Sequence, residues 1–72
     1  MKTFTLNPKT SSARSGDITE IAVQADTEAE ARELAAESAE EAGFDGNLWR
    51  NRALTACIAV SNAAQVIART FA

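Results

Sequence analysis

Residues 18–43 read ITEIAVQADTEAEARELAAESAEEAG, and the spacing of their apolar positions changes once, at Thr27. Before it, Thr19, Ile21, Val23 and Ala25 alternate with Glu20, Ala22 and Gln24. A period of two with β-branched residues predicts a half-buried strand. Ile18 falls on the polar side of that alternation and points to a second contact. After Thr27, Ala31, Leu34, Ala35, Ser38 and Ala42 fall on one stripe of a helix. Thr27-Glu28-Ala29-Glu30 has the form of a capping box, in which the Thr27 hydroxyl accepts from the Glu30 amide. Gly43 supplies the left-handed stop, and Phe44 takes the position of the hydrophobic contact in a Schellman motif. The stripe is mostly alanine, so the helix can lie close against a sheet.

Outward from this unit, KTFTL (Lys2–Leu6) alternates and predicts a first strand. NPKTSSARSG (Asn7–Gly16) is a polar connection, which makes the first two strands an antiparallel hairpin with a long loop. FDGNLWRNRA (Phe44–Ala53) reads as a loop, but Phe44, Leu48 and Trp49 are apolar enough to fold back over the core. Leu54–Phe71 supports two readings. As strands, LTACIAV and VIARTF flank a turn at Ser61–Gln65; as a helix, Ala53, Ala56, Cys57, Val60, Ala64, Ile67 and Phe71 share a stripe. Alanine favours helix, and Thr55, Ile58, Val60, Val66, Ile67 and Thr70 favour strand. The strand reading is adopted. It gives a single α+β domain over residues 1–72, an antiparallel sheet with one helix on one face, in the order ββαββ. The alternative is ββα followed by a C-terminal helix. In the adopted reading the other sheet face stays open.

Charge is segregated along the chain. Lys2, Lys9 and Arg14 make residues 1–16 net +3; ten acids and Arg32 make residues 17–45 net −9; Arg50, Arg52 and Arg69 make residues 46–72 net +3. Acids near a helix N-terminus are favoured by its dipole, which accounts for Asp26, Glu28 and Glu30. Glu28 and Arg32, four apart, can pair for about 0.3 kcal/mol. Glu37, Glu40 and Glu41 crowd the C-terminal turns, where negative charge is disfavoured. An ordinary solvated face is one reading of this ridge. The other is a contact surface, Glu33, Glu37, Glu40 and Glu41, for a protein partner with a basic surface. A second candidate set is Lys9, Arg14, Trp49, Arg50 and Arg52, which could grip nucleic acid by stacking and phosphate contact. A pI of about 4.7 argues against general nucleic-acid affinity. In the competing reading Trp49 plugs the core, and the arginines solvate its rim or pair with the helix acids.

The sequence holds no histidine and one cysteine, Cys57. That removes the usual general base and any cysteine–histidine zinc site. Gly16, Gly43 and Gly46 are scattered, so no phosphate-binding glycine loop is present. No catalytic, metal or cofactor-binding residues are expected, and the chain reads as a non-enzyme. Neither a signal peptide nor an apolar run of membrane-spanning length is visible, so a cytoplasmic protein without membrane contact is expected. Its large apolar residues are few for a self-sufficient core, and a monomer or a homodimer fits.

The opening KTFTLNPK, the strand GDITEIAVQA and the helix start DTEAEARELA resemble the beginnings of small proteins encoded by phages and bacterial mobile elements. The plan as a whole, tiny, acidic, α+β and lacking catalytic residues, is similar to that of several anti-CRISPR proteins. The likeness covers Met1–Ala42 and rests on pattern and composition, so it carries over no functional residue. It implies a protein that acts by stoichiometric binding, occupying a nucleic-acid site on a basic complex. Three function classes follow: an inhibitor or interaction protein using the acidic ridge, a nucleic-acid-associated regulator, and a self-associating structural domain.

Overall fold

The computed structural model describes residues 1–9, 16–62 and 67–71. The chain is α+β, with an antiparallel sheet and a helix packed on it. Its elements run β1 (Lys2–Pro8), β2 (Ile18–Ala25), α1 (Glu28–Glu41), α2 (Asn47–Arg50), β3 (Thr55–Ser61) and β4 (Ala68–Phe71). The expected succession left out α2, a single turn within the segment read as loop. Residues 55–61 and 68–71 are strands, so the alternative C-terminal helix does not form. Pairing against β1 and β2 overrides the alanine propensity of this region.

The sheet order is β3-β1-β2-β4, with every neighbouring pair antiparallel. The expected β1–β2 hairpin is present, with Phe4 opposite Val23 and Leu6 opposite Ile21. Most of its connection, residues 10–15, lies outside the described residues. The last two strands are not a hairpin: β3 pairs with β1 and β4 with β2, at opposite edges. Residues 63–65 of the expected turn also lie outside the described residues.

Phe4, Leu6, Ile21, Val23 and Ala25 face α1 and form the core with Ala31, Ala35, Ala36 and Ala39. The four alanines are fully buried, which brings the helix close to the sheet. The buried arc is wider than the expected stripe. Leu34 and Ala42 are only partly buried, while Arg32, Ala36 and Ala39 are enclosed. α2 packs on one flank of α1, and Thr55 of β3 meets Arg32. A register shift between Ile18 and Glu20 resets the alternation of β2 and lets Ile18 join the core cluster. That is the second contact its position had pointed to.

The face turned away from α1 is polar and only partly open. It carries Thr3, Thr5 and Asn7 opposite Gln24, Ala22 and Ala56; Thr3 and Ala22 are buried, and the others are half-buried. Asn7 Oδ1 is buried there and makes no hydrogen bond among the described residues.

Candidate functional site

Helix α1 is fixed at both ends. The Thr27 hydroxyl accepts from the Glu30 amide at 3.2 Å. The amides of Phe44 and Gly43 donate to Ala39 O at 2.9 Å and Glu40 O at 3.0 Å, the two bonds of a Schellman motif. Gly43 has φ of 89°, a conformation other residues rarely adopt. With its alanine side docked on the sheet, α1 presents its outer side as a rigid surface.

The acids on that surface divide into two groups. Arg50, from α2, binds Glu33 through Nε and Nη2 at 3.0 and 2.9 Å. The same guanidinium binds Glu40 through Nη1 and Nη2 at 3.0 and 3.3 Å. This bridge spans two turns of helix and straps α2 to α1. The Arg50 hydrogen bond holds the Glu33 carboxyl below its ordinary range, against a smaller opposing effect of desolvation. Its two carboxylate partners raise the Arg50 guanidinium further above its already high value. Gly46 permits the approach: a Cβ there would stand 2.7 Å from Glu40 Cδ.

Glu30, Glu37 and Glu41 form the second group. Spaced at seven and four residues, they fall within an arc of about 40° on the side opposite the buried alanines. All three are exposed and have no ion pair among the described residues. Of the four sequence-predicted contact residues, Glu37 and Glu41 are therefore free, and Glu33 and Glu40 are held within the molecule. The sequence reading accounted for Glu30 by the capping box and the helix dipole. Its carboxylate makes no return bond among the described residues, and its spacing from Glu37 and Glu41 was the signal that places it in the stripe.

The second predicted set is dispersed. Trp49 is 1% exposed and belongs to the core, so its indole is closed to a stacking base. Arg50 is occupied by Glu33 and Glu40 and borders a groove of about 570 Å³ with Asp45, Asn47, Leu48, Asn51 and Leu54. Arg14 lies outside the described residues. Lys9 and Arg52 do come together, in a different cleft of about 250 Å³ with Glu28, Arg32, Thr55 and Ala56. Arg32, whose side chain is 10% exposed, donates from Nε to Glu28 at 3.1 Å and from Nη2 to Thr55 O at 3.3 Å. Its Nη1 is buried without a partner among the described residues, a state that costs about 1–3 kcal/mol for a polar group and more for a charged one. Arg52 approaches the same Glu28 oxygen at 3.8 Å.

Among the described residues no group of three or more His, Cys, Asp or Glu side chains is arranged to hold a metal ion, and no helix is long and apolar enough to cross a membrane. Comparison with known proteins finds no match to the chain in any family model, curated protein or solved structure.

Proposed function

We propose that this chain is a non-enzymatic cytoplasmic binding protein that engages a basic protein partner through the outer stripe of α1. Glu30, Glu37 and Glu41 are the central contacts. The observation that carries this reading is the division of labour on the helix. Arg50 satisfies Glu33 and Glu40, while three aligned carboxylates stay exposed on a helix fixed by caps and by its alanine face. Such a stripe gains its full interaction only against positive charge, and complementary charge speeds and selects association. Inhibition would follow from occupancy, as the likeness to phage-encoded anti-CRISPR proteins implies, by covering a basic nucleic-acid site.

Affinity capture from the native host with mass spectrometry identifies the partner. Titration of that partner with Glu30→Lys, Glu37→Lys and Glu41→Lys combined then tests the surface. The expected result is at least about a tenfold loss of affinity, with a steep salt dependence for the parent protein. Unchanged affinity would remove the reading. The nucleic-acid alternative is weakened by the burial of Trp49 and the capture of Arg50. Self-association through a sheet edge is a second reading, favoured by half-exposed Val60 on β3 and Phe71 on β4. Light scattering that gives a monomer at high concentration would exclude it.

A further inference from the structure

We propose that the cleft framed by Lys9, Arg32 and Arg52 binds a phosphate dianion, either free or as the monoester of a small molecule. Three cations face one carboxylate, Glu28, among the described lining residues, which together carry a net charge of 3 − 1 = +2. The chain as a whole carries −3. The cations come from three parts of the fold and converge, among the described residues, without an acid to match each of them.

Arg32 is the anchor of the site. Glu28 and the carbonyl of Thr55 fix its plane, yet its buried Nη1 lacks an acceptor among the described residues. An anionic oxygen entering beside it supplies one. Lys9 is held at its backbone by a 2.8 Å bond from its amide to Leu54 O, and its exposed side chain is in no described ion pair. Arg52 is 83% exposed and meets Glu28 only at 3.8 Å, so it can turn toward a better acceptor. A phosphate monoester carries close to two negative charges and three acceptor oxygens. It can therefore address three separate cations, whereas a carboxylate has one charge and two oxygens. Guanidinium groups suit this geometry. A cleft of about 250 Å³ is small for a drug-sized ligand and fits a phosphate with a short attached group.

The test is a titration of the ¹⁵N-labelled protein with sodium phosphate, then with glycerol phosphate, at constant ionic strength held by sodium chloride. The amides of Thr55 and Ala56 and the Nε–H groups of Arg32 and Arg52 are followed. Saturable shifts are expected, stronger at pH 8 than at pH 6 because the second phosphate proton leaves between them. Binding of both probes assigns a monoester site, and binding of inorganic phosphate alone assigns a site for the free ion. Lys9→Gln with Arg52→Gln should weaken binding about tenfold or more; both side chains are exposed, and an unchanged circular dichroism spectrum confirms the fold. Glu28→Gln should tighten binding several-fold, because it removes the competing negative charge while its amide oxygen can still accept from Arg32 Nε. A merely structural ion pair does not predict that gain. Shifts that chloride reproduces or that fail to saturate would overturn the proposal. So would a Glu28→Gln variant that binds no better than the parent, or a double variant that binds equally well.

Discussion

Arg50 meets Glu33 edge-on, with Nε and Nη2 each donating to one carboxylate oxygen at 3.0 and 2.9 Å. The pair makes stability depend on acid. The folded-state pKa of Glu33 lies below its ordinary value of 4.5, chiefly through this hydrogen bond. The unfolded chain therefore takes up the proton first as pH falls. The contribution of the pair is complete above the ordinary value and is lost as pH drops through the lowered one. Glu33→Gln should be less stable than the parent at pH 7, and the difference should shrink below pH 4.5. Urea melts across pH 3 to 7 measure it, and parallel profiles would refute the assignment.

Gly46 allows Glu40 to reach Arg50. Gly46→Ala places a Cβ within 2.7 Å of Glu40 Cδ and Oε2 and should cost about 1 kcal/mol through crowding. In a Glu40→Ala background the same change should be nearly silent. Equal costs in both backgrounds would show that the crowding arises elsewhere.

The two ends of α1 should each respond to one substitution. Thr27→Ala removes the cap on the Glu30 amide and should cost about 1 kcal/mol, with Thr27→Ser restoring it. Gly43→Ala forces a side chain into φ of 89° and should cost about 1 kcal/mol or somewhat more. Chemical denaturation reads both, and a neutral Gly43→Ala would mean that the helix ends differently.

Trp49 is the chain's single tryptophan and is 1% exposed. Its emission should be blue-shifted and resist quenching by iodide, moving red only on unfolding. Trp49→Ala should cost about 3–5 kcal/mol, a large part of the stability of so small a domain. Emission like that of free tryptophan in the native protein would contradict the burial.

The Ile18–Gly43 unit was legible because each of its signals is local. Period, cap and stop all act within a few residues, and Thr27, Gly43 and Phe44 sit where the sequence placed them. The apolar trio Phe44, Leu48 and Trp49 was legible as core material because burying large apolar side chains is favourable; Trp49 is enclosed, and Phe44 and Leu48 pack half-buried against the core. What the sequence could not show depends on partners distant along the chain. Arg32 reads as one half of an exposed helix pair, but it is buried because Thr55, 23 residues away, supplies its carbonyl. For Arg50 the sequence offered two readings, a nucleic-acid grip beside Trp49 or a pair with the helix acids, and the structure has the second. Which acids it takes, Glu33 and Glu40, depends on how α2 packs on α1, and that was not legible.

The strand order β3-β1-β2-β4 has a consequence for assembly. Neither of the last two strands pairs with the other; each needs a template made from the first third of the chain. Thr19 and Thr70, for example, meet across 51 positions. Closing such separations is entropically unfavourable until a paired surface is ready to receive them. In the folded chain the N-terminal hairpin is the centre of the sheet, and the C-terminal third supplies its two edge strands, one on each side.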